Sequence, residues 1–102
     1  YPPESNADEV TIANGEEKYH AYCFVCHGAG AVGGGVISDL RYMSEETHTK
    51  FSAIVLGGMY ANKGMVGFSD ILSPEDSEEI HAYLIQRAKE TYYLERINSF
   101  LK

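Results

Sequence analysis

A chain of 102 residues holds one domain, and its 44% apolar content fits a globular protein whose size is marginal for a deep core built from side chains alone. No apolar run approaches the length needed to span a bilayer. Fifteen carboxylates against eight Lys and Arg give a net charge of −7, which argues against nucleic acid, since binding a polyanion needs clustered basic side chains.

The first stretch, residues 1–7, is polar and contains Pro2 and Pro3, a linker-like composition without the basic and apolar regions of a signal peptide. Either a signal has been removed or these residues join the domain to a longer polypeptide. Asn6, with Glu9 three residues on, predicts an N-cap and capping box for a first helix. Ile12, Gly15, Tyr19 and Tyr22 then share one helical face. Glycine inside a helix costs about 1 kcal/mol relative to Ala, so Gly15 predicts close packing by another backbone or ring. His20 reads as a solvated or capping histidine rather than a ligand.

That helix runs into Cys23-Phe24-Val25-Cys26-His27, two thiols three residues apart followed at once by an imidazole. This is the attachment signature of a c-type haem: on one helical turn the two sulfurs can form thioethers to one porphyrin, with His27 beneath the iron as proximal ligand. The other readings are a disulfide, a thioredoxin-like redox pair and half of a zinc site. Zinc needs a second ligand pair at close spacing, and His20, His48 and His81 are scattered; the redox pair needs a βαβ context, which the pattern lacks. A buried macrocycle would also supply the apolar surface that so short a chain lacks. Attachment of this kind is normally extracytoplasmic, which predicts a periplasmic location.

Residues 28–35 contain five glycines, too many for a helix or strand, and predict a tight loop against something flat. A phosphate-binding loop would instead follow a strand and open a helix. Arg41 is a candidate partner for a haem propionate, because a guanidinium binds a carboxylate through two donors; the alternative is a surface ion pair with Asp39 or Glu45. Ser44 or Thr47 can cap a second helix with an apolar face of Phe51, Ile54, Val55 and Leu56, ended by Gly57-Gly58. Ser73-Pro74-Glu75-Asp76 is the clearest helix start in the chain, and Ile80, Tyr83 and Leu84 continue a face that should pack on the first helix. Tyr93, Ile97, Phe100 and Leu101 form a further helical stripe, an extension over 89–102 read as cover for the core in preference to an interaction surface.

An iron held by His27 needs a sixth ligand or leaves a position open. Met65, in the Gly-flanked stretch between the second and last helices, is the favoured ligand; Met59, His48 and an open site are the alternatives, and Met43 and Met59 are otherwise core filler. A thioether raises the potential relative to bis-imidazole ligation, which points to electron transfer rather than to an enzyme.

The pattern of an N-terminal helix entering Cys-x-x-Cys-His, a downstream Met loop and a C-terminal helix resembles class I cytochrome c. Within that class the chain most resembles the cytochrome domains of quinohaemoprotein alcohol dehydrogenases, over roughly residues 15–88. The stretches that carry this are residues 22–30, Gly34-Gly35-Val36 leading to Asp39-Leu40-Arg41, Ile54-Val55-Leu56-Gly57-Gly58, Asn62 with Gly64-Met65, and Leu72-Ser73-Pro74-Glu75-Asp76 through Ala82-Tyr83. The resemblance implies an all-α fold of three main helices plus a C-terminal helical extension around one covalent haem c. It implies that Cys23 and Cys26 attach the haem, that His27 and Met65 ligate iron, and that Gly15, Tyr19 and Tyr83 form the helix crossing. It further implies electrons accepted from a pyrroloquinoline quinone dehydrogenase and passed to a cytochrome, copper protein or oxidase. Ser38 departs from the proline that usually offers its carbonyl to the proximal histidine, although its own carbonyl can accept the same bond. A haem enzyme or gas sensor with an open sixth site is the competing function, and a metal-binding interaction module without haem is a third.

Overall fold

In the computed structural model, residues 3, 5–23, 40–59 and 67–101 are described, the last two by backbone alone. Among them the regular structure is entirely helical: α1 (Glu9–Tyr22), a 3₁₀ turn at Leu40–Tyr42, two one-turn helices α2 (Glu45–Thr49) and α3 (Phe51–Val55), and the long α4 (Pro74–Leu101).

Local chemistry sets each start. The cap of α1 is Asp8 and not the expected Asn6: its carboxylate accepts the Thr11 N–H at 2.8 Å, a charge-assisted bond that also places a negative group at the positive end of the helix. Ser44 caps α2 by accepting the Thr47 N–H at 3.1 Å. At α4 the capping is reciprocal, with Ser73 Oγ accepting from Asp76 N at 3.1 Å and Asp76 Oδ2 accepting from Ser73 N at 2.9 Å. The single second helix expected from Ser44 to Leu56 is broken at Lys50, where the backbone leaves the helical region and lets Phe51, Ile54 and Val55 turn inward together. Gly58, at φ 68°, ends it in the left-handed conformation that glycine adopts without steric cost.

The central event is the crossing of α1 over the first half of α4. A Cβ on Gly15 would stand 1.8 Å from the Glu79 carbonyl oxygen, so the two backbones meet with no room for a methyl group. Tyr19 packs beside it, fully buried, with its ring 5.5 Å from that of Tyr83. Flanking this contact, Lys18 bridges to Asp76 at 2.7 Å and also to Glu79, whose other oxygen accepts from Asn14 Nδ2 at 3.1 Å. The largely buried Glu79 carboxylate is thereby paired, which removes most of the cost of placing it there. Lys18 holds Asp76 below its ordinary carboxylate range.

The core between α1, α3 and α4 contains Tyr19, Cys23, Phe51, Val55, Leu72, Ile80, Tyr83 and Leu84. Beyond Thr91, α4 runs on without covering it. Tyr93, Leu94 and Ile97 are each more than half exposed, so the expectation that this extension shields the core is corrected. A straight continuation follows because no breaker stands between Pro74 and Leu101.

Gly15→Ala should therefore destabilise the protein by about 1–3 kcal/mol or more through overpacking, read as a lower denaturation midpoint. Ala13→Leu, at an exposed position of the same helix, should leave that midpoint nearly unchanged.

Candidate functional site

Cys23 ends α1: it is the C-cap, its N–H returns to Tyr19 O at 2.7 Å, and its side chain is buried at 7% exposure among Phe51, Val55, Leu72 and Leu84. The helix crossing thus delivers this thiol into the apolar core instead of leaving it at the surface. Leu40, Met43, Leu56 and Phe68, all half-buried, pack against the same cluster, and the Tyr22 ring lies 6.2 Å from that of Phe68. Such a wall of aliphatic and aromatic side chains around a thiol suits the edge of a flat apolar macrocycle held by a thioether. Among the described residues, no three His, Cys, Asp or Glu side chains are grouped to hold a metal ion.

Cys26, His27 and Met65 lie outside the described residues, as does the glycine loop at 28–35. The ends of the segment that carries Met65 are described, and both are fixed. Met59 N donates to Ala53 O at 3.1 Å as the chain leaves α3, and Phe68 N donates to Val55 O at 2.7 Å as it returns. A Cβ on Gly67 would approach Gly58 N to 2.9 Å, so the outgoing and returning backbones touch. Met59 itself is 46% exposed, which corrects its reading as core filler, whereas Met43 does pack against the core.

Arg41 lies on the 3₁₀ turn, its Nη1 donating to Thr91 Oγ1 at 3.4 Å and its guanidinium 5.3 Å from the centre of the Tyr42 ring. It lines a cleft of about 210 Å³ with Tyr42, Met43, His48 and, from α4, Tyr92 and Glu95. His20 is exposed, with Nδ1 2.8 Å from Glu16 O, in keeping with a solvated histidine.

One arrangement was not foreseen. His48, weighed as an alternative iron ligand, and His81, read with it as scattered along the chain, meet with Nδ1 of His48 2.9 Å from Nε2 of His81. The two rings stack, and His81 lies almost parallel on Phe51 with centroids 4.3 Å apart. Burial lowers the pKa of both; for His81, burial and then the charge of His48 bring it to about 4. No local sequence pattern pointed to the pair, since the two histidines are 33 residues apart.

Three comparisons bear on this geometry. Residues 10–84 match the family described as cytochrome C oxidase, cbb3-type, subunit III. Quinohemoprotein alcohol dehydrogenase ADH-IIG of Pseudomonas putida is 42% identical over 91 residues, 89% of this chain and 12% of that protein. The dehydrogenase subunit of alcohol dehydrogenase (quinone) from Acetobacter aceti is 35% identical over 94 residues, 91% of this chain and 13% of that protein. A solved structure of ADHIIG from Pseudomonas putida HK5 superposes with a TM-score of 0.85 at 41% identity, covering 90% of this chain and 13% of the other. The chain therefore spans about an eighth of the length of these relatives. With the family match covering most of its length and the helical fold matching as well, the chain belongs to this cytochrome c family and is similar to the haem domain of quinohemoprotein alcohol dehydrogenases.

Proposed function

We propose that the domain is a one-electron carrier that accepts electrons from a pyrroloquinoline quinone-dependent dehydrogenase and passes them to a cytochrome, copper protein or oxidase in the periplasm. The family implies covalent haem c and electron transfer; the partners and compartment are our reading. The observation that carries it is the likeness along nine-tenths of this chain to one part of quinohemoprotein alcohol dehydrogenases. No helix among the described residues is long and apolar enough to cross a membrane.

In this reading Cys23 and Cys26 would hold the haem by thioethers, His27 and Met65 would ligate its iron, and Arg41 would neutralise a propionate. The haem supplies a single-electron couple at iron, tuned upward by a thioether ligand. Everything else falls to the chain. Phe51, Leu72 and Leu84 exclude water beside the Cys23 sulfur, and a dry site lowers reorganisation by keeping mobile dipoles away. The closed backbone gate at Gly58 and Gly67 fixes both ends of the Met65 segment, which restrains a ligand otherwise free to dissociate. The Arg41 guanidinium, in contact with Thr91 and the Tyr42 ring, offers the paired donors that a carboxylate would take.

A pyridine haemochrome spectrum of the purified protein should have the form given by two thioether bonds, and Cys23→Ala should change it to the one-thioether form. An absent haem spectrum would favour the metal-binding module instead. The ferric protein should show the weak far-red charge-transfer band of a thioether-ligated haem. Met65→Ala should abolish that band and open the iron to cyanide, whereas Met59→Ala should leave it unchanged. The reverse result would assign the ligand to Met59, and an open iron in the unmutated protein would favour the enzyme or sensor.

Because the net charge is −7, encounter with a basic redox partner should be steered electrostatically. The second-order rate of electron transfer should fall as ionic strength rises past about 0.1 M, where the Debye length is about 10 Å. A rate flat with salt would mean that the charge serves solubility alone.

A further inference from the structure

We propose that Tyr42 is a positioning residue whose hydroxyl holds the Glu95 carboxylate away from Arg41, so that the guanidinium serves a haem propionate and not a carboxylate of its own chain. The inference rests on the reading of Arg41 as the propionate's partner, and adds to it the device that decides between two competing anions.

Two contacts dock the 3₁₀ turn on α4. Arg41 and Tyr42 are neighbours on the turn, while Thr91 and Glu95 lie four residues apart on α4, one helical turn along the same face. Arg41 Nη1 donates to Thr91 Oγ1 at 3.4 Å, and the Tyr42 hydroxyl donates to Glu95 Oε1. Charge alone would have paired these groups otherwise. A guanidinium and a carboxylate match through two parallel charge-assisted bonds, and Arg41 and Glu95 line the same cleft of about 210 Å³. Among the described residues, however, no ion pair joins them.

The phenol accounts for this. Its ring face carries the Arg41 guanidinium, 5.3 Å from the ring centre, and its hydroxyl end takes the carboxylate. A rigid ring that touches the cation on its face and the anion at its tip keeps the two apart for as long as both contacts hold. Thr91, buried at 7% exposure, offers Arg41 a neutral acceptor, which fixes the guanidinium without cancelling its charge. Tyr42 is 57% exposed and Glu95 is exposed as well, so water offers both groups equivalent partners and their bond does little for stability. Its effect falls on the charge that Arg41 presents in the cleft. A haem propionate without its cation favours ferric iron, so capture of Arg41 by Glu95 would lower the reduction potential.

The test is redox titration of the haem-loaded protein at pH 7, where burial keeps His48, on the same cleft, neutral. Tyr42→Phe retains the ring beneath the guanidinium but releases Glu95. It should raise the oxidised-to-reduced ratio at a fixed ambient potential about threefold, a fall in midpoint of about 30 mV at 59 mV per tenfold. In a Glu95→Gln background the same Tyr42→Phe change should have no effect, because a neutral amide does not compete for the guanidinium. A phenol that served packing alone would shift the potential equally in both backgrounds. That result, or an unchanged potential in Tyr42→Phe, would overturn the positioning role. Arg41→Gln should lower the potential by itself; if it does not, the propionate reading fails. The role of Tyr42 toward Arg41 is then still decided by NMR of the ferrous protein. A nuclear Overhauser contact between the Arg41 and Glu95 side chains should be absent in wild type and appear in Tyr42→Phe, and its absence from that variant would overturn the proposal.

Discussion

The contact of the Gly15 backbone with the Glu79 carbonyl is the constraint on which the rest of the molecule depends. Two helices that meet at a glycine approach more closely than side chains allow, and that proximity places Tyr19 wholly out of water and its ring against Tyr83. One turn further along α1 the same trajectory brings Cys23 into the core. A wider crossing would raise the thiol toward solvent and open the apolar wall of Phe51, Leu72 and Leu84. Lys18, Asp76, Glu79 and Asn14 fasten the crossing from the side, so its azimuth as well as its depth is set.

The opposite flank of α4 is held differently. Short helices of five residues have no stability of their own; α2 and α3 exist because Phe51, Ile54 and Val55 are buried against α4 and because His48 pairs with His81. The α1 flank is thus fastened by ion pairs as well as by packing, and the flank of α2 and α3 by buried apolar side chains and the histidine contact.

Charge and surface follow a third logic. Acidic residues crowd the outer faces of α1 and the start of α4, where helix N-termini and Lys18 tolerate them, while Arg41 is drawn into the cleft with Thr91 and Tyr42. Tyr93, Leu94 and Ile97 stay exposed on the end of α4 because the domain has no further element, among the described residues, to lay against them.

Much of this was legible in the sequence because it is local. Ser73-Pro74-Glu75-Asp76 announced α4, Ser44 announced α2, and a glycine at a core-facing helical position announced a close crossing. The Cys-x-x-Cys-His spacing named a cofactor class before any fold was known, since one helical turn dictates what two sulfurs and an imidazole can reach together. Three features were not legible. The cap moved from Asn6 to Asp8, since both side chains satisfy the same rule and only the packing of the helix chooses its first turn. The second helix broke at Lys50, where the backbone leaves the helical region just before Phe51, Ile54 and Val55 are buried together, a turn that the helical spacing of those residues does not reveal. The pairing of His48 with His81 was invisible for a simpler reason: residues 33 apart in sequence meet only where two helices are brought together, and no one-dimensional pattern encodes that distance. Spacing along the chain determined the chemistry; the angle and depth at which α1, α2 and α3 lie on α4 decided which side chains share it.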